Sequence, residues 1–290
     1  MSEFEESEFR GPLFNQLERG SHLLWEPGQV FEEIIGVDRA SLCLHRYLWK
    51  LHGYSSNLGG TILQGRPFHY IWSGSKPSKI LPDFKLNLFI QAKRSTYSSQ
   101  SKTKLKPNIN GPYWYFEITP HQQLALEQLE TELSGDALVV YAAPVFHKQQ
   151  ELYNHTSNQT IVDHSTFPKA STLKGHSKWY YDQPGIVGVA NPDFEFINEE
   201  PLMNQIQSKR SETGDFNDNN VINNLQMISK AIRSVVENRS NDFQASRFAY
   251  YNDLIESEIE SFNMEGTKGL KDFMQIETFT YLWKLNWMTF

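Results

Sequence analysis

The sequence predicts an α/β fold: a mixed central sheet flanked by helices, followed by a helical C-terminal extension. Three observations predict it. Residues 86–92 form a nearly continuous apolar run with only weak alternation, as a strand covered on both faces does. Residues 137–142 form a second, uncharged run bounded by Gly135 and Pro144, and Thr119-Pro120-His121-Gln122 opens a helix between the two. From about Asn198 onward, strand signals give way to polar helical patterns.

In chain order, Pro27-Gly28 introduces a helix in which Val30, Ile34 and Val37 share one face, Glu32 and Glu33 ride on it, and Gly36 signals its stop. Apolar residues from Ala40 to Leu51 read as helix resuming, broken between Ser55 and Gly60. Short strands are expected at residues 68–72, which are aromatic and β-branched, at 79–82, and at 86–92. Pro120 then sits at the first helical position, Leu124, Leu126, Leu129 and Leu133 populate the helix, and Ser134-Gly135-Asp136 ends it. The order is helix, three strands, helix, strand. In the C-terminal region Val221, Leu225, Ile228, Ile232 and Val235 step by four, three, four and three. Phe248, Tyr251, Ile255, Ile259 and Phe262 form a second stripe. Such seams either pack a helical subdomain on the same chain or present a dimer or partner surface.

Composition narrows the function classes. At 290 residues and 39% hydrophobic the chain can bury a sizeable core. A formal net charge of −7 and a pI near 5.7 argue against a surface that coats nucleic acid everywhere, while leaving room for a local basic site. One cysteine, Cys43, excludes an internal disulfide framework and any zinc site built on cysteine pairs. No apolar run approaches the roughly 18 residues that a spanning helix needs, and the acidic segment at residues 2–8 is unlike a secretory leader. The expectation is a cytoplasmic protein that does not enter a membrane.

The chemistry concentrates around Pro82-Asp83 and Gln91-Ala92-Lys93. Asp83 offers a carboxylate to Mg²⁺ and Gln91 an amide oxygen one strand away. Lys93, two residues on and so on the same strand face as Gln91, brings an ammonium to a phosphate or to the attacking water. From Lys93 to Lys106 the chain carries Lys93, Arg94, Lys102, Lys104 and Lys106 with no acid, interleaved with serines and threonines that can donate to phosphate oxygens. Taken alone such a run is as often a solvated loop; its place directly after Lys93 points to phosphate contact. Tyr113-Trp114-Tyr115-Phe116 reads as core sooner than as a base-stacking platform. The nine histidines fall in no zinc spacing, and phosphate-loop, dinucleotide and serine-hydrolase motifs are missing from the sequence.

This order of elements, with Asp83 and Gln91-x-Lys93 on the central strands, resembles the PD-(D/E)xK nuclease superfamily, the restriction-endonuclease-like fold. The resemblance covers residues 26–145 and implies a nuclease-like domain over 1–197, followed by a helical region over 198–290. Glu32 to Asp38 looks like the E-x-x-hydrophobic-G-x-D helix of several members, which makes Glu32 the helix acid and Glu33 its reserve. Gln91 stands where the family has Asp or Glu, a variant that binds a divalent cation less strongly. The implied metal ligands are Asp83, Glu32, Glu33, Gln91 and the Ala92 carbonyl around Mg²⁺ or Mn²⁺, with Lys93 orienting the water. Residues 147–192 look like material from bacterial members tied to restriction or anti-phage defence. The implied activity is endonucleolytic cleavage of DNA in preference to RNA, alone or within a complex. The alternative is a silent nuclease-fold subunit that binds nucleic acid or assembles with protein. Partner contact, in a homodimer or with another protein, would run through the C-terminal helices.

Overall fold

The computed structural model describes residues 2–17, 23–25, 40–42, 86–100, 102–133, 135–212, 219–239, 242–262 and 269–289. Helix α1 (Glu6–Leu17) buries Phe9 and Leu13 completely, and Phe9 and Phe4 pack on the ring of Phe146 at 6.3 and 5.5 Å between centroids. Strands β1 (Leu23–Trp25) and β2 (Ala40–Leu42) form a two-stranded antiparallel ribbon. Residues 40–42 are therefore strand, where the apolar pattern predicts helix: a partner strand decides the conformation of so short a run. The helix expected from Pro27 with Glu32 and Glu33, the strands expected at 68–72 and 79–82, and Asp83 lie outside the described residues.

The central sheet is built on β3 (Asn87–Ala92), every residue of which is buried, as the unbroken apolar run predicts. After β4 (Thr96–Ser98) and β5 (Tyr113–Glu117), helix α2 (Pro120–Leu133) starts on its proline and stops before Gly135, whose φ of 98° only glycine adopts cheaply. Leu126, Leu129 and Leu133 face the core, whereas Leu124 is 56% exposed and does not belong to the packed face. Strand β6 (Ala137–Pro144), also buried throughout, lies parallel to β3, with Asn87 beside Ala137 and Ala92 beside Ala142. Helix α2 thus forms the crossover that a parallel pair requires.

Helix α3 (Gln149–Ser157) leads to β7 (Ser165–Thr166), which closes one side of β6. Strands β8 (Lys178–Tyr181), β9 (Ile186–Asn191) and β10 (Glu195–Glu199) join β5 and β4 in a second, antiparallel sheet ordered β10-β9-β8-β5-β4. Helices α4 (Leu202–Glu212), α5 (Asn219–Glu237), α6 (Phe243–Phe262) and α7 (Leu270–Trp283) follow. On α5, Leu225, Ile228, Ile232 and Val235 are buried in the same core as Ile276, Phe279, Leu282 and Trp283 of α7. That seam is consumed within the chain. A final strand, β11 (Asn286–Thr289), then pairs antiparallel with β3, giving a mixed sheet ordered β11-β3-β6-β7. The molecule is α/β with a mixed sheet and helices against it. Among the described residues, no helix is long and apolar enough to cross a membrane.

Candidate active site

The carboxyl ends of β3 and β6 and the first turn of α2 meet at one point, because a crossover helix must return antiparallel to the strands it joins. Clefts at such ends are where α/β sheets place ligands. Lys93 lies there, directly after β3, with its backbone N–H donating to the Ala142 carbonyl at 2.8 Å and so prolonging the parallel ladder. Its side chain is only 9% exposed. The ammonium donates to Gln122 Oε1 on α2 at 3.0 Å and lies 5.7 Å from the centre of the Tyr141 ring.

Gln91 and Tyr141 are register partners in the parallel pair and share a sheet face. The Tyr141 hydroxyl donates to Gln123 Oε1 at 2.7 Å, and Gln123 Nε2 donates in turn to the Ala170 carbonyl at 2.7 Å. Burial, followed by the charge of Glu127, pushes the Tyr141 hydroxyl upward, so it stays a neutral donor. The Gln91 side chain, 2% exposed, sends its N–H to the Trp283 carbonyl at 3.5 Å, while its Oε1 is buried without a hydrogen-bond partner among the described residues. Buried acceptors are almost always satisfied, so this oxygen is an exception in want of a donor or a cation. Ala92 is buried beside Ala142.

The electrostatics come from two further places, the first helix α1 and the residue after α7. Burial lowers the Lys93 ammonium below the ordinary lysine range; the carboxylate of Glu6, in the first turn of α1, opposes that shift, and Lys284 after α7 adds to it. Burial raises Glu6, against the pull of Lys93, Lys284, Arg10 and the Arg94 backbone N–H. Sequence reasoning missed Glu6, Gln122 and Lys284 as members of this cluster. Only Gln122 carried a signal, as the third residue of the helix start, and its oxygen is taken by Lys93. Arg94 stays with Lys93, its guanidinium donating to the Ser2 carbonyl, with Nε buried and without a partner among the described residues.

Lys102, Lys104 and Lys106 go elsewhere. Along β5 and β8, Phe116, Trp179 and Tyr181 face the main core, whereas Tyr113 and Tyr180 join Leu105 and Ile109 in a small outer cluster with Tyr115 packed on it. The Lys102 ammonium lies 5.8, 5.8 and 5.2 Å from the ring centres of Tyr113, Tyr115 and Tyr180, and Lys104 lies 5.4 Å from that of Phe194. Lys106 is exposed on the same loop. Phe116, on the inner face, sits 5.5 Å from Tyr141, the ring under Lys93. The second sheet therefore stands between the basic loop and Lys93, so adjacency in sequence does not become adjacency in space.

Among the described residues, no three histidine, cysteine or acidic side chains are grouped to hold a metal ion. Of the expected ligands, Gln91 and Ala92 lie buried at the end of β3, and the Gln91 oxygen, without a partner among the described residues, is the kind of hard donor that a divalent cation takes. Asp83, Glu32 and Glu33 lie outside the described residues. No family model, no curated protein and no solved structure matches the chain. The reading of the site rests on its own geometry.

Proposed function

We propose that this chain is a metal-dependent endonuclease that hydrolyses phosphodiester bonds in DNA, serving restriction or anti-phage defence. The observation that carries the proposal is Lys93: a buried ammonium at the carboxyl end of a parallel strand pair, two residues past an amide oxygen with no donor among the described residues. Holding a charge there opposes stability, and residues kept against stability are characteristic of active sites. The parallel pairing of β3 and β6 through α2 supports the PD-(D/E)xK reading, while β4 and β5, which stand between β3 and α2, depart from its order of helix, three strands, helix, strand.

In this reading Asp83, Gln91, the Ala92 carbonyl and Glu32 or Glu33 hold Mg²⁺ or Mn²⁺. When bound, the ion makes a water nucleophilic at neutral pH and neutralises charge developing on the phosphate. Lys93 donates to a phosphate oxygen or to the attacking water. Gln122 fixes the direction of its N–H bonds, and the Tyr141 ring walls off solvent on one side. The carboxylate of Glu6 opposes the lowering that burial imposes on the ammonium.

The test is cleavage of supercoiled plasmid and linear duplex by the purified chain with Mg²⁺, Mn²⁺ or EDTA. Metal-dependent nicking should fall about 10²–10³-fold in Lys93→Ala and in Asp83→Ala, the loss typical of one transition-state donor or ligand. Unchanged cleavage in both variants, or no cleavage of any DNA with any divalent ion, overturns the proposal. One observation favours a silent assembly subunit instead: Phe243, Tyr250 and Leu254 on α6 are 72, 63 and 45% exposed, at spacings that share a helix face. Under that reading the wild type is inert with every metal.

A further inference from the structure

We propose that Lys284 is a phosphate-contacting residue of the same site, set by the end of β3 in the turn between α7 and β11; the inference rests on the nuclease reading above. Three observations converge on it. The first is placement: β11 begins with Asn286 opposite Ile90, and the Trp283 carbonyl accepts from Gln91 Nε2 at 3.5 Å, so Lys284, between them in the chain, lies by the carboxyl end of β3. The second is solvent. Lys284 is exposed where Lys93 is buried, so a bound phosphate meets the Lys284 charge first. Both ammoniums act on the carboxylate of Glu6, which locates the three charges in one cluster.

The third is backbone strain. Lys284 caps α7 with φ 55° and ψ 45°, the left-handed region, where glycine is the usual residue and a side chain costs about 1 kcal/mol. Its backbone N–H already closes the helix end on Thr280 and Tyr281, a bond that any residue would make. Capping therefore explains the conformation and leaves the lysine unexplained. Strained non-glycine residues concentrate at functional sites, and here the residue is a long, exposed cation near the carboxyl end of the strand that carries Gln91. The basic loop at 102–106 lies on the far face of the second sheet; among the described residues, Lys284 is a cation from outside the Gln91–Arg94 segment that acts on Lys93, and Arg10 of α1 shares with it the carboxylate of Glu6.

Lys284→Gly separates function from folding, because it relieves the strain while removing the charge. Duplex binding is measured by fluorescence anisotropy in EDTA across a salt series, with cleavage in Mg²⁺ and thermal melting in parallel, on the full chain. The expected result is a melting temperature equal to or above wild type, affinity weakened about threefold to tenfold at 0.1 M salt, a log–log salt slope shallower by about 1, and reduced kcat/KM. Lys284→Arg should keep the slope and Lys284→Glu should lose more than glycine does. A wild type that binds and cleaves beside a Lys284→Gly variant with the same affinity, slope and rate overturns this inference alone. A wild type that neither binds nor cleaves duplex overturns the nuclease reading and this inference together.

Discussion

Lys93 concentrates the conflict between folding and function in one side chain. The unfolded chain keeps its proton up to the ordinary lysine range near pH 10.4, while the folded chain, its ammonium destabilised by burial, releases the proton earlier. In the window between the lowered folded value and about 10.4 the unfolded state binds more protons, so the Lys93 contribution to stability rises with pH there and is flat below. Lys93→Met, similar in volume and free of charge, should raise the stability of the fold at pH 7 by about 1 kcal/mol in urea denaturation while abolishing cleavage. The gain over wild type should shrink as pH climbs toward 10. A Lys93→Met protein less stable than wild type at pH 7 would mean that Glu6 and Gln122 more than offset the burial. At this scale Gln91 and Lys93 were legible, because two residues on one strand end carry their relation in their spacing. Glu6 and Lys284 were not: each reaches the site from another element through tertiary packing, and as letters they are ordinary surface charges.

Elements were legible where a local signal and the tertiary context agreed. Helix α2 has its proline at the start and Gly135 just past its end, and β6 is too short and too apolar to be anything but a covered strand. Legibility failed where pairing alone decides. Residues 96–98 form β4 inside a stretch that reads as a basic loop, and β11 is four residues of a region whose pattern is helical. The second sheet also depends on a position that shows in sequence only as a small residue. Gly188 of β9 faces the Tyr180 carbonyl so closely that an added Cβ would lie 2.4 Å from its oxygen and 2.6 Å from Cζ2 of the fully buried Trp179. Gly188→Ala should therefore push β8 and β9 apart and destabilise the protein by about 1–3 kcal/mol, read from the shift of its urea midpoint. A midpoint unchanged from wild type would show that the two strands yield without loss.

At the scale of the whole molecule, the helices after β10 pack on one another and on α2 and return the chain to the central sheet. The Trp287 ring stacks on Phe89 at 6.5 Å and its indole N–H donates to Asn87 Oδ1 at 3.1 Å, while Asn87 also donates to Asn224 of α5 at 3.0 Å. Removing residues 286–290 should bare the outer edge of β3. The truncated protein should melt at lower temperature and self-associate in light scattering, since an unpaired, apolar strand edge templates pairing with another chain. A monomer that melts like wild type would show β11 to be dispensable. The same strand bears on synthesis. Trp287 meets Asn87 across a separation of 200 residues, so a ribosome has made nearly everything else here before β3 can gain its second neighbour. Until then the nascent polypeptide carries Lys93 at the tip of a half-bare strand. The centre we propose to cut DNA is thus finished late, after the helices that surround it have already been translated.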